Sequence, residues 1–173
     1  MNSSSSRAFP ITLNWTWARL EALGAGDVYD FLALRSEVFV VEQSCVFLDA
    51  DGVDRQAWHL LGRNLAGELL AYLRLVDAKV KYPELSIGRV ITSPRARAMG
   101  LGKRLMQEGL KRTLQMHPNA DIRISAQARL QKFYASLGFR TQSEPYMEDG
   151  IAHVEMLLSY KSNFLAQDLP CEK

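Results

Sequence analysis

The sequence predicts a single α/β domain built on a mixed, mostly antiparallel sheet of six to seven strands flanked by helices. Three observations lead there. Ile122, Ile124 and Ala126 alternate with polar residues at a strict period of two, the mark of a strand with one buried face. Leu101, Leu105, Met106, Leu110 and Leu114 recur at helical spacing, giving an amphipathic helix over 101–116. Trp58–Gly62 and Leu69–Val76 flank a polar turn at Asn64 and Gly67, which reads as an antiparallel hairpin.

The remaining elements follow in chain order. Asp27 is placed to cap a helix reaching Val38, in which Val28, Phe31, Leu32 and Leu34 form a stripe interrupted by Arg35. After the hairpin, Ile87–Thr92 is a third apolar run, and Pro94 closes it because proline donates no ladder hydrogen bond. The 101–116 helix ends before Pro118 and Asn119. Residues 128–137 return to helical patterning and stop at Gly138, a residue suited to the left-handed conformation that closes helices. Phe139–Tyr146 and His153–Ser159 supply two last strands around the turn-forming Glu148, Asp149 and Gly150. This order combines antiparallel pairings with two strand–helix–strand crossovers, which defines the α/β sandwich.

The chain has 173 residues, 47% hydrophobic and 23% charged, enough to bury one core. The domain is expected over residues 12–160, with 1–11 and 161–173 as peripheral or flexible tails. A net charge of +2 falls well short of the concentrated basic character that nucleic-acid binding requires. The two cysteines, Cys45 and Cys171, form no metal or disulfide pattern and fit a reducing cytoplasm. No run approaches the roughly 20 apolar residues of a membrane span, and the serine-rich start lacks a signal-peptide core. A cytoplasmic protein, monomer or homodimer, is the expectation.

The chemistry concentrates in 87–103, where a strand, a glycine-bearing loop and a helix start follow one another. The first N–H groups of a helix lack carbonyl partners and carry the positive end of its dipole, so a phosphate placed there is stabilised. Gly100 and Gly102 keep side chains out of the way, and Arg97, Lys103 and Arg104 add positive charge where a structural helix prefers acidic residues. The spacing is neither GxxxxGK[ST] nor GxGxxG, which sets aside the common nucleotide loops.

Arg97, Gly100 and Gly102 meet the signature [Q/R]xxGx[G/A], and here the sequence resembles the GNAT (N-acetyltransferase) superfamily. The resemblance implies acetyl-coenzyme A as cosubstrate. It further implies a strand splayed from its neighbour whose backbone at Val90, Ile91 and Thr92 pairs with the pantetheine arm. The loop Arg97, Ala98, Met99, Gly100, Leu101, Gly102 and Lys103 would then hold the pyrophosphate. Ala98 stands where many members have glycine.

The segment Gln127 to Phe139 is similar to the family's N-x-x-A-x-x-[LF]-Y-x-x-x-G-F helix, with Gln127 in place of asparagine. By that resemblance Gln127 contacts the coenzyme and Tyr134 donates a proton to the departing thiolate; read alone, Tyr134 is a ring packed in a core helix. Leu34 to Asp54, His59, Ala71–Leu75 and Glu148–His153 narrow the resemblance to the ElaA-like branch.

An acceptor amine must lose a proton before it attacks. Glu42 and His59 are the candidate bases, against a solvated loop charge and a structural histidine respectively; His153 reads as structural. Asp49, Asp51 and Asp54 form an acidic group able to attract a cation, but the position of an EF-hand's terminal glutamate falls at Leu60, so no metal is expected. Cys45 reads as a packed thiol. The implied function is direct acetyl transfer to an unidentified primary amine, with a coenzyme-A-binding sensor as the alternative.

Overall fold

The computed structural model describes residues 11–160; the tail segments 1–10 and 161–173, with Cys171, lie outside the described residues. Strand β1 (Asn14–Arg19) is followed by helix α1 (Ala25–Arg35), then β2 (Ala57–Arg63), β3 (Leu69–Val76) and β4 (Leu85–Thr92). Helix α2 (Leu101–Met116), β5 (Ile122–Gln127), α3 (Gln131–Ala135), β6 (Arg140–Thr141), β7 (Tyr146–Glu148) and β8 (Ile151–Leu158) complete the domain. They form one eight-stranded sheet in the order β1-β2-β3-β4-β5-β8-β6, with β7 also paired to β8. Every pairing is antiparallel except β4 with β5.

The sheet buries both faces, against different helices. On one side Leu73, Leu75, Ile87, Ile122, Ile124 and Met156 pack with Leu105, Met106 and Leu110 of α2 and with Tyr134 and Phe139. On the other, Leu61, Tyr72 and Ile91 pack with Phe31, Leu34 and Val38. Helix α2 lies close to β3 because Gly109 has no side chain: a Cβ there would stand 2.6 Å from Leu73 Cδ2. That closeness fixes the height of the helix whose N-terminus borders the cleft described below.

Three expected elements differ in extent. Helix α1 begins at Ala25 with Gly24 as its cap, so Asp27 sits in the first turn and pairs with Arg63 at 2.7 Å instead. The helix also runs beyond Val38, widening into a π-helical segment over Ser36–Glu42. Residues 128–137 form a 3₁₀ turn and the short α3, closed by Gly138 at φ +94°. The expected strand 139–146 is two short strands, β6 and β7. Asp149 and Gly150, at φ +49° and +79°, make the two-residue turn of the β7–β8 hairpin.

Candidate active site

Strands β4 and β5 are paired only at Leu85–Ile122 and Ser86–Arg123, and beyond that point they separate. The gap opens into a cleft of about 380 Å³, lined on one wall by Ser86–Thr92 and on the other by Ile124, Ser125 and Gln127. That volume lies in the ordinary range for small-molecule sites. Strand β4 carries a bulge here: Tyr72 faces Ile91 while Arg74 faces Gly88, so Arg89 and Val90 oppose Leu73 alone. Arg89 takes φ +51°, the left-handed value that lets one extra residue be inserted. The bulge bends β4 away from β5 and interrupts its ladder at the cleft wall.

At the mouth, Ser93 N–H bonds the Leu70 carbonyl at 2.8 Å, ending β4, and Pro94–Ala96 form a 3₁₀ turn. Ala98 (φ +63°) and Gly100 (φ +71°) then reverse the chain into α2. The exposed loop 98–100 and the first-turn amides of α2 form a cradle of donors with no carbonyls ahead of them. Leu101 anchors the cradle from below, buried with Leu13, Leu70 and Ala96. Lys103 is exposed, whereas Arg104 donates to the Ile11 carbonyl. The donor set suits a pyrophosphate.

Arg97 and Glu42 meet across the mouth in a two-pronged pair at 2.8 and 2.5 Å. The Arg97 hydrogen bonds hold the Glu42 carboxyl below its ordinary value, which weakens it as a base. Gln127 is linked to Gln43 at 3.1 Å and to Arg129 at 2.9 Å. Tyr134 is 7% exposed and lines the cleft, and among the described residues its hydroxyl has no hydrogen-bond partner. Burial pushes its phenol up to about 12, so it keeps its proton at neutral pH.

His59 is fully buried and off the cleft lining. Its Nε2 bonds the Asp54 carbonyl at 2.9 Å, so it must carry the hydrogen, and Nδ1 accepts from the Tyr72 hydroxyl at 2.8 Å. Burial lowers its pKa, and the neutral ring has no free nitrogen for an acceptor's proton.

The acidic group is taken up by arginines, with Asp49 and Asp54 buried and Asp51 partly exposed. Asp54 Oδ1 receives both Arg35 Nη1 at 2.7 Å and Arg74 Nη1 at 2.8 Å; Asp49 receives Arg35 Nε at 2.7 Å, and Asp51 receives Arg74 twice at 2.8 Å. Arg89 Nε stands 2.7 Å from Asp49 Oδ1 without hydrogen-bond alignment, an ion pair of charge alone. The three carboxylates therefore face three guanidinium groups in a closed cluster. It fastens the loop after α1 to β3 and β4 and so builds one wall of the cleft. Cys45 lies in that loop, its thiol within 3.6 Å of the Gln43 and Asp149 carbonyls.

Glu148, Ser125 and Tyr146 were not expected as site residues. Ser125 Oγ donates to Glu148 Oε2 at 2.7 Å and lies 2.6 Å from the Tyr146 hydroxyl. Glu148 reads in sequence as part of a turn, and only its strand pairing turns it onto the cleft. His153 also lines the cleft, with Nδ1 at 2.8 Å from the Ile151 carbonyl. Among the described residues no helix is long and apolar enough to cross a membrane.

A family model described as an acetyltransferase (GNAT) domain matches residues 53–160. The chain is 45% identical to a UPF0039 protein of Synechocystis sp. over 87% of its own length and 98% of that protein's. It is 38% identical to protein ElaA of Escherichia coli, over 83% and 95% respectively. Among solved structures, an acyl-CoA N-acyltransferase from Pseudomonas aeruginosa superposes with a TM-score of 0.81 at 39% identity, covering 86% of this chain and 100% of that one. The crystal structure of Escherichia coli ElaA gives 0.79 at 36% identity, over 84% and 99%.

Proposed function

The chain belongs to the GNAT acetyltransferase family, and from that premise we propose that it transfers an acetyl group from acetyl-coenzyme A to a primary amine, directly and in a ternary complex. The observation that carries the proposal is the fork between β4 and β5, opening beside a helix N-terminus of free amides. Pyrophosphate binds the amides of Ala98 to Lys103, with Arg97 beside them. The pantetheine arm runs along the backbone of Val90, Ile91 and Thr92 and past Gln127. An N–H at Val90 or Ile91, where the bulge frees β4 from regular pairing, polarises the thioester carbonyl. Tyr134 gives its proton to the leaving sulfur; it holds that proton at neutral pH, and among the described residues its hydroxyl has no hydrogen-bond partner. Glu42 holds Arg97 in the free protein and yields that guanidinium to the pyrophosphate when the coenzyme binds. The free thiol Cys45 fits the reducing cytoplasm as the place of action.

Thiol release from acetyl-coenzyme A, measured with a panel of primary amines, tests this function. Tyr134→Phe should lower kcat by roughly 10²-fold while the acetyl-coenzyme A Kd stays within about twofold, the pattern of a group needed only in the transition state. A folded wild type that binds the coenzyme and acetylates no amine would support a coenzyme-A sensor instead.

A further inference from the structure

The carboxylates around the cleft differ in what they face. Glu42 is held by Arg97. Asp49, Asp51 and Asp54 are held by Arg35, Arg74 and Arg89. Glu84 and Glu155, on the same sector of the sheet as Ser125, are both held by Arg123 at 2.6 Å. Two cleft-lining carboxylates face no cation among the described residues: Glu148 and Asp149. Asp149 sits at the exposed tip of the β7–β8 turn, while Glu148 is partly buried in the wall.

Glu148 is also oriented. A serine hydroxyl has one hydrogen, and Ser125 directs it to Glu148 Oε2; the Tyr146 hydroxyl, 2.6 Å from Ser125 Oγ, must then donate to it. Two hydroxyls therefore point their hydrogens in sequence toward one carboxylate. This arrangement fixes the orientation of the carboxylate and leaves Oε1 without a hydrogen-bond partner among the described residues. Position along the fork completes the geometry. The last β4–β5 pair is Ser86–Arg123, so Ser125 lies two residues past the fork on β5. On β4, Gly88 lies equally far past it, immediately before the bulge at Arg89 and Val90. Glu148 is thus held on the wall opposite the strand segment whose amides polarise the thioester.

We infer that Glu148 is the carboxylate that docks the acceptor's ammonium group and removes its proton, and that the acceptor is a cationic alkyl amine; the assignment rests on the acetyl-transfer function proposed above. Glu148 Oε1 pairs with R–NH₃⁺ and takes one proton from it. The nitrogen lone pair then forms the C–N bond to the thioester carbon, giving an oxyanion. Its collapse breaks the C–S bond, the sulfur takes the Tyr134 proton, and the excess proton on nitrogen restores Tyr134. The sum is R–NH₃⁺ plus acetyl thioester giving amide, free thiol and one proton. Ser125 is a positioning residue, acting through Glu148.

The test compares wild type, Glu148→Gln and Ser125→Ala with acetyl-coenzyme A and two kinds of nucleophile. n-Butylamine, 1,4-diaminobutane and phenethylamine are protonated at neutral pH; methoxyamine is already neutral and needs no base. Glu148→Gln should lower kcat/KM for the alkyl amines by roughly 10²-fold or more, and for methoxyamine by less than about threefold. Ser125→Ala should show the same selectivity with a smaller loss. The acetyl-coenzyme A Kd should be unchanged in both variants, which also verifies that they are folded. Equal losses for both nucleophile classes, an undiminished Glu148→Gln, or a wild type that binds acetyl-coenzyme A but transfers to none of the three alkyl amines would each overturn the assignment. A wild type that binds no acetyl-coenzyme A would overturn the acetyl-transfer function itself.

Discussion

Replacing Asp54 with asparagine should be among the most destabilising single polar changes in the protein. Its Oδ1 is the shared acceptor of Arg35 and Arg74, at 2.7 and 2.8 Å. Arg35 has no exposed surface and Arg74 only 2%. Asp54→Asn leaves two carboxylates facing three guanidinium groups, and breaking a buried pair in this way costs about 3–5 kcal/mol. Against the ~5–15 kcal/mol total stability of a domain, that is a large share. It should lower Tm by about 6–20 °C, at roughly 2–4 °C per kcal/mol for a chain of this size. Asp51→Asn should cost less, because the Asp51 side chain is 31% exposed. Urea unfolding followed by tryptophan fluorescence measures both. Acid should act on the same cluster. Burial opposes ionisation of Asp51, but its hydrogen bonds and charge pairing with Arg74 outweigh that and hold it at about 2. A folded value below the unfolded one, about 3.9, contributes stability that is present above pH ~4 and lost as pH falls toward 2. The wild type should therefore weaken across that window. An Asp54→Asn protein within about 0.5 kcal/mol of wild type would refute the closed-cluster account.

Ala98 holds φ +63°, a conformation costing a residue with a Cβ about 1 kcal/mol, partly offset in glycine by its greater unfolded-state entropy. Ala98→Gly should raise Tm by roughly 1–2 °C, read by thermal melting, and a fall would argue against the left-handed loop. Glu42→Gln releases Arg97 from its partner in the free protein; since exposed pairs are worth about 0–1 kcal/mol, acetyl-coenzyme A should bind up to roughly fivefold more tightly at low salt, with the gain vanishing at high salt. Calorimetry at two ionic strengths checks this, and weaker binding would show that Glu42 itself contacts the ligand.

Where a periodicity spans a whole element, the sequence shows the fold plainly. Leu101 to Leu114 mark α2 and Ile122 to Ala126 mark β5, because one face of each meets a continuous core. The loop before α2 is legible too, since glycines and basic residues at a helix start break the usual charge preference. Less legible was the C-terminal region. Residues 139–146 read as one strand, yet β6 and β7 are separate short pairings to different parts of β8. The acidic run Asp49, Asp51 and Asp54 looks solvent-facing until folding brings Arg35, Arg74 and Arg89 onto it. Glu148 was hidden for the same reason: its partner Ser125 is 23 residues away, and nothing local distinguishes it from a turn residue. Partner identity is a tertiary property, so charged residues were the hardest to place.

The most direct test of the account is a calorimetric titration of the purified protein with acetyl-coenzyme A, beside ATP with magnesium, repeated on Gly100→Glu. Gly100 takes φ +71° at the start of α2, where a glutamate would be both strained and repelled by pyrophosphate. Selective acetyl-coenzyme A binding that the substitution abolishes is the predicted result; no binding by the folded wild type, or binding that Gly100→Glu leaves intact, would contradict it.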